Sequence, residues 1–268
     1  MENYTGSFGY QWNIHAKTQL DSVTGLPISA DRLFATTLWP RSMEGMKILE
    51  AGSGAGRFTE VLLGTGAEVH SFDYSDAVDA NRANNGHNPK LTLFRGDIFD
   101  IPYPPETFDK VICIGVLQHT PDPERAFKGL ARQVKPGGEL VVDCYARRLT
   151  ALISWKYVLR PITRRMSKQR LYGIVQEAVP LLLPLALGLH KVIGRVGLKL
   201  VPVAAFPEYC LPYSTHVGWS VCDTFDRLSP AFDNPQTIEA LKRWFAQARF
   251  SESTVERGPN GVVGRGRK

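Results

Sequence analysis

Residues 47–73 read KILEAGSGAGRFTEVLLGTGAEVHSFD, and the rest of the chain is organised around them. Ile48-Leu49 is a short apolar run that closes in Glu50-Ala51. The turn Gly52-Ser53-Gly54-Ala55-Gly56 follows, and then Arg57 to Leu63 places Phe58, Val61 and Leu62 at helical spacing. After the break Gly64-Thr65-Gly66, Glu68 to Phe72 reads as a second strand that Asp73 closes. Strand, glycine turn, helix, strand, acid is the opening half of a doubly wound α/β sheet.

Glycines at such a turn adopt positive φ and let a ligand approach with no Cβ in the way. The helix that follows starts with free N–H groups at the crevice where α/β sheets bind ligands. An acid about 20 residues past the first glycine accepts hydrogen bonds from ribose hydroxyls, and Asp73 stands at 73 − 52 = 21. Glycine spacing separates two cofactor classes. A dinucleotide site has G-x-G-x-x-G/A, but the third place here is Arg57, which disfavours a nicotinamide oxidoreductase. The glycines run G-x-G-x-G behind Glu50. This arrangement resembles the first motif, D/E-x-G-x-G-x-G, of the class I S-adenosylmethionine-dependent methyltransferases.

The resemblance implies a Rossmann-like α/β fold: a mostly parallel seven-stranded sheet with an antiparallel C-terminal strand, here joined by a helical insertion. It implies S-adenosylmethionine as cofactor, held by Glu50, Ala51, Gly52, Ser53, Gly54 and Gly56 in the turn, and by Asp73 and Tyr74 after the second strand. An acid such as Glu50 is useful near the methionine ammonium. Leu91 to Phe94 reads as a third strand, followed by Gly96-Asp97-Ile98. In the resembled family an acid here meets the adenine amine and the next backbone N–H a ring nitrogen, which carries over to Asp97 and Ile98. Asp97 capping a turn is the plainer reading. Phe108 to Gly115 reads as the fourth strand, apolar without a break over Val111 to Ile114 as one covered on both faces should be, and the resemblance adds Gly115 to the cofactor set. The wording from Phe108-Asp109 through Val116-Leu117-Gln118-His119-Thr120 is again similar to that family, and the motifs run in order over 47–145.

Outside this core, residues 1–45 are expected to form a flap and a helix. FGYQWN, TQLD and TGLPIS resemble the N-terminal extension of a bacterial subgroup, which makes Gln11 and Trp12 candidates over the cofactor. Phe8, Tyr10 and Trp12 packing on a sheet edge is the alternative. Helices are expected around Asp31 to Leu38, over Ser75 to Asn84 with Ser75 as N-cap, over Glu124 to Val134 and over Gln236 to Ala248. Glu139 to Tyr145 is the fifth strand. Phe250 to Glu256 and Gly261 to Gly264 are two short closing strands, and Arg265 to Lys268 reads as solvated charge. The parts are therefore 1–45, a core over 46–146, an insertion over 147–208 and a return to the core over 209–268.

The insertion owns the positive charge. Residues 1–146 carry 13 Lys/Arg against 18 Asp/Glu, whereas 147–208 carry 11 against two, Glu177 and Glu208. Arg147 to Met166 reads as a basic helix with apolar Leu149, Leu152, Ile153 and Trp155. Leu171 to Val203 is more apolar, and Pro180 with Pro184 argues against a long regular helix there. The segment fits a lid that shapes the acceptor pocket, a peripheral membrane contact or lid for a lipid-linked acceptor, or a nucleic-acid surface. The last lacks interleaved aromatics, so no stable nucleic-acid partner is expected. No uninterrupted apolar run reaches the length of a spanning helix, and no apolar signal core opens the chain. Cys113, Cys144, Cys210 and Cys222 show no metal-ligand spacing, so no metal is expected. A reduced, cytoplasmic protein with a membrane-associated variant of that placement follows.

Methyl transfer from a sulfonium is an in-line displacement that rests on positioning and water exclusion. A protonated acceptor also needs a base, and His119, just past the fourth strand, is the candidate; a histidine capping the next turn is the plainer reading. His216, Asp226, Tyr209 and Tyr213 come from the C-terminal half, where the D-x-x-D-x-L-S-P-x-F pattern of 223–232 resembles the same subgroup. The expected activity is S-adenosylmethionine-dependent methylation of a small molecule: a sugar, lipid-linked compound or secondary metabolite. RNA methylation and non-catalytic cofactor binding are the alternatives.

Overall fold

The computed structural model describes residues 5–147 and 154–268. Three helices lead in: α1 (Gly6–Ile14), α2 (Asp21–Thr24) and α3 (Ile28–Thr37). The core then alternates β1 (Lys47–Ala51), α4 (Arg57–Gly64), β2 (Glu68–Asp73), α5 (Ala77–Asn85), β3 (Leu91–Arg95), β4 (Phe108–Ile114), α6 (Pro123–Gln133) and β5 (Val134–Cys144). Helices α7 (Trp155–Thr163), α8 (Lys168–Ile193), α9 (Arg195–Leu200) and α10 (Tyr213–Leu228) precede α11 (Ile238–Gln247), β6 (Glu252–Arg257) and β7 (Val262–Arg267).

The strands form one seven-stranded sheet in the order β3-β2-β1-β4-β5-β7-β6. β1 to β5 pair in parallel, and β7 runs antiparallel to both β5 and β6. The chain winds outward from β1 to β3 and then returns to β4, so the order reverses between β1 and β4. The two connections leave on opposite sides there and open a crevice at the strand ends. Both faces of the sheet are covered. Phe127, Leu130, Leu241 and Phe245 bury one face, while Leu33, Phe58 and Leu62 bury the other. That double cover is why β4 reads as an unbroken apolar run from Val111 to Ile114.

Several elements depart from the sequence reading. The helix expected over Arg147 to Met166 is shorter, Trp155–Thr163, and Leu149, Leu152 and Ile153 lie outside the described residues. The region around Pro180 and Pro184 is a 26-residue helix, not a broken one. Proline 184 offers no N–H to the Pro180 carbonyl one turn back, and the Tyr213 hydroxyl donates to that carbonyl instead at 3.3 Å. Packing supplies the rest. Leu171, Val175, Val179 and Leu183 are buried with Val221, Phe225 and Leu228 of α10. Four such side chains contribute about 6–12 kcal/mol, against about 6 kcal/mol for two interior prolines. By length and composition this helix could also cross a membrane, which the prolines concealed.

Helix α10 itself was not foreseen, nor was α1, whose mix of glycine, polar and aromatic residues has no apolar stripe. Helix α5 starts two residues later than Ser75, whose Oγ accepts from the Ala77 N–H at 3.2 Å. The tail is not free charge: Arg265 and Arg267 belong to β7, and the Arg265 Nε donates to the Thr36 carbonyl at 2.6 Å.

Gly56 takes φ 91°, and a Cβ there would overlap the Asn81 and Asn85 side-chain amides. Gly56→Ala should therefore lower unfolding free energy by about 1–3 kcal/mol through strain at a left-handed position. A urea midpoint unchanged from wild type would refute that.

Candidate active site

A cavity lies over the crevice between β1 and β4. Its floor is the glycine turn, where Gly52 and Gly54 take φ 77° and 53°. Asp73, at the end of β2, closes the turn: its Oδ2 accepts from the Gly54 N–H at 2.9 Å, and its Oδ1 accepts from the Ser75 N–H and hydroxyl at 2.8 and 2.6 Å. Each carboxylate oxygen has two lone pairs, so Asp73 keeps acceptor capacity toward the cavity it lines. Ser53, Tyr74, Ile98 and Gly115 line it too. Gly115 is held by Asp143 of β5, whose carboxylate accepts from its N–H and sits 3.5 Å from the Arg32 guanidinium.

Trp12 of α1 lies over this floor. A Cβ on Gly54 would come within 3.2 Å of the Trp12 Nε1, so the glycine lets the indole close down on the turn. Gln11 points elsewhere. It is fully buried, donates to the Cys222 carbonyl and Sγ at 3.2 Å each, and ties α1 to α10 instead of lining the cavity.

Four more sequence candidates lie away from the cavity lining. Glu50 is buried beneath the turn, where Thr59 and Ser71 donate to its Oε2 at 2.5 and 2.7 Å. Burial pushes its carboxyl up to about 7, the two hydroxyls holding it lower than burial alone would. Ala51 and Gly56 likewise support the turn from behind, while Asp97 accepts from the Phe99 N–H at 2.9 Å within its own turn. Its neighbour Ile98 reaches the cavity.

The other end of the cavity is built by residues distant in sequence. Phe8, Tyr145, Phe206, Tyr209 and Trp219 supply aromatic walls, and α10 brings Asp223 and Asp226 one turn apart. The Tyr145 hydroxyl donates to the Asp226 Oδ2 at 3.4 Å. Burial raises Asp226 to about 6 against the pull of Lys156 and Arg227. His119 is buried between Phe8 and Tyr145, with ring centroids at 5.0 and 5.5 Å. Its Nδ1 lies 3.1 Å from the Phe232 carbonyl and must be the protonated nitrogen there, which leaves Nε2 as an acceptor with no protein partner among the described residues. Burial lowers this imidazole to about 4, so it is neutral at pH 7.

Arg57, the residue that breaks the dinucleotide spacing, is part of this wall. Its Nη1 donates to the Gln19 Oε1 at 2.5 Å, and Gln19 donates onward to Asp223 at 3.1 Å. A charged residue in the first turn of an otherwise core-facing helix was the sequence signal for it. The role of Asp223 showed only as half of the D-x-x-D pattern, and Trp219 gave no signal of its own. Of the other C-terminal candidates, Tyr209 lines the cavity, while His216 accepts from the Phe206 N–H at 2.9 Å behind the wall. Tyr213 serves α8. Among the described residues no cluster of metal-ligating side chains occurs.

This fold, with a glycine turn and a β2 acid at the switch point, defines an α/β domain that binds an adenosyl group. Residues 49–142 match the family model of the methyltransferase domain, and the chain carries a class I, S-adenosylmethionine-dependent domain of that kind. It is 32% identical over 130 residues to a ubiquinone biosynthesis O-methyltransferase of Thiobacillus denitrificans, an alignment covering 46% of this chain and 56% of the relative. The chain thus spans just over half the length of that curated relative. Two solved structures share the fold. One is a chain from the complex of the Haloferax volcanii Trm112 methyltransferase activator with a methyltransferase: TM-score 0.53, 13% identity, 97% of this chain and 96% of that one. The other is a Haemonchus contortus phosphoethanolamine N-methyltransferase solved with S-adenosylhomocysteine: TM-score 0.51, 17% identity, 94% and 43%. The residues present fit S-adenosylmethionine. The glycine floor is open, the Asp73 Oδ2 retains a lone pair, and the buried Ser53 hydroxyl has no protein partner among the described residues.

The raised carboxyl of Glu50 gives a pH test. A folded-state value above the unfolded one means the folded chain holds the extra proton, so its contribution is fully present below the unfolded value near 4.5 and is lost as pH rises toward about 7. Glu50→Gln, which stays neutral, should gain stability relative to wild type between pH 5 and pH 8, by about 2–3 kcal/mol at most. Parallel melting curves for the two proteins across that range would rule the shift out.

Proposed function

We propose that the chain transfers the methyl group of S-adenosylmethionine to a small-molecule acceptor: a sugar, a lipid-linked compound or a secondary metabolite. The observation that carries this is the continuity of one cavity from the glycine turn and Asp73 to an aromatic wall with two proton acceptors, Asp226 and His119. An aromatic-walled end of that kind, with two buried acidic side chains, suits a small molecule better than a nucleic-acid strand, which needs a long basic groove. The ubiquinone-biosynthesis name of the Thiobacillus relative agrees with a small acceptor.

On this reading Gly52, Ser53 and Gly54 hold the methionine end, Asp73 takes the ribose hydroxyls, and Tyr74, Ile98 and Gly115 flank the adenine. Trp12 closes the floor and excludes water. When bound, S-adenosylmethionine supplies an electrophilic methyl group with a neutral thioether as leaving group. The aromatic walls position the acceptor atom in line with that group and keep solvent out. Asp226 takes the acceptor's proton, with the Tyr145 hydroxyl orienting its carboxylate, and the His119 Nε2 accepts a hydrogen bond beside it. A neutral imidazole lowered to about 4 is the weaker base of the two. The chain works in the cytoplasm, with 147–208 on the acceptor side.

Asp73→Ala should weaken S-adenosylhomocysteine binding at least tenfold by calorimetry, since a ribose hydrogen bond to a charged group is worth about 1.5–3 kcal/mol. Unchanged affinity would remove the cofactor assignment. Incubating the chain and labelled cofactor with nuclease-treated extract should label a small-molecule fraction. Label that disappears on nuclease treatment would identify RNA as the acceptor, and no labelled product at all would indicate a non-catalytic binder. With an acceptor in hand, kcat/KM should rise with pH through about 6, where Asp226 loses its proton, and Asp226→Asn should abolish that rise. A profile that keeps it would place the base elsewhere.

A further inference from the structure

Helix α8 carries two apolar stripes, and only one is covered. Leu171, Val175, Val179, Leu183 and Ala186 face the α10 side chains. On the other side Ile174, Leu181, Leu185 and Val192 are exposed, spaced seven, four and seven residues apart. At 3.6 residues per turn those steps bring all four onto one line along the helix, about 27 Å long. Leu181 is 78% exposed and Val192 81%. The flanking helices add exposed pairs four residues apart, Val158 with Ile162 on α7 and Val196 with Leu200 on α9. Exposed apolar residues are ordinarily scattered singly. Here nine of the thirteen large ones among the described residues fall within 155–200, and four of them share one line of α8.

Charge identifies what covers it. Arg164, Arg165, Lys168 and Arg170 cluster at one end of α8, and Lys191, Arg195 and Lys199 at the other. All seven are exposed, and among the described residues none forms an ion pair. Glu177 is the one acid between 155 and 207. A second copy of this face would set cation against cation at both ends. An anionic phospholipid surface offers the complement on both counts, acyl chains for the stripe and phosphates for the cations, whose long stems reach up to the head groups. We propose that α8, with the exposed sides of α7 and α9, lies in the head-group plane of an anionic bilayer. It lies in the plane and does not span, because turning α8 across the bilayer would strip Val221, Phe225 and Leu228 of their cover. The inference goes beyond the methyl-transfer reading and does not depend on it. It also brings the bilayer close to the cavity, since the chain leaves α9 at Leu200 and reaches the cavity wall at Phe206.

The test is flotation of the full chain with vesicles of phosphatidylglycerol mixed into phosphatidylcholine, beside vesicles of phosphatidylcholine alone. The chain should float with the anionic vesicles, at least about tenfold more than with the neutral ones, and high salt should release it. L181D/L185D should lose binding about tenfold or more. K191E/R195E/K199E should lower partitioning to anionic vesicles about a hundredfold, at roughly a factor of five per cation. Circular dichroism and S-adenosylhomocysteine affinity, measured on the same variants, should match wild type. Failure of cofactor binding with vesicle binding intact would count against the enzyme reading alone. Wild type that ignores both vesicles, or L181D/L185D that floats as wild type does, overturns the proposal. So does binding that resists both salt and alkaline carbonate, the signature of a spanning helix. Self-association that the leucine variant abolishes, without vesicle binding, would assign the face to a second copy and overturn it equally.

Discussion

A buried carboxyl group underlies the site. Glu50, at the end of β1, gathers Ser71 of β2 and Thr59 of α4 onto one oxygen, and Asn81 of α5 donates to Thr59 in turn at 2.9 Å. Asn85 extends the chain to Asn81 and to the Gly56 carbonyl at 2.9 and 3.1 Å. Two strands and two helices are thereby fixed relative to one another directly beneath the glycine turn. A buried polar network of this kind specifies one arrangement because any other leaves members unpaired. The group is tuned upward by burial, so it holds the turn from below and contributes geometry to the cavity without lining it.

On that base the cavity has two ends of different origin. The cofactor end comes from consecutive strand ends, as the switch point of an α/β sheet dictates. The aromatic end comes from α1, Tyr145 just past β5, the segment after α9, and α10, which meet only in three dimensions. Gln11 shows how tightly the two are joined: its amide donates to Cys222 of α10, so the helix that carries Trp12 over the turn is tied to the helix that carries Asp223 and Asp226. Arg57 joins them again through Gln19. The glycine-turn end and the aromatic end of the cavity are therefore mechanically linked through α1.

The helical layer illustrates packing overriding local preference. Two prolines within five residues argue against a helix, yet the burial available on α10 exceeds their cost and the Tyr213 hydroxyl occupies the carbonyl that Pro184 leaves open. The same helix keeps an apolar face that the rest of the fold does not cover. Core packing holds the helix on one side, and its other side is apolar with cations at both ends.

The order of strands and helices over 47–145, the glycine turn and Asp73 were legible in the sequence because each depends on neighbours close along the chain: period, turn chemistry and a fixed offset to an acid. Gly52, Gly54, Trp12, His119 and Gly115 all line one cavity. Other roles were not legible. Gln11 and Glu50 carry side chains that suit a ligand equally well, and only packing shows that the Gln11 amide nitrogen and the Glu50 Oε2 are engaged inside the protein. Asp97 likewise serves its own turn. Helices α1 and α10 lacked a clean period because each faces a cavity and a core at once. Whether α8 forms at all was decided by what it packs against, since an isolated segment with Pro180 and Pro184 has no partner to offset their cost. Local periodicity thus determined the frame, and the long-range burial that no single segment contains determined where the functional side chains point.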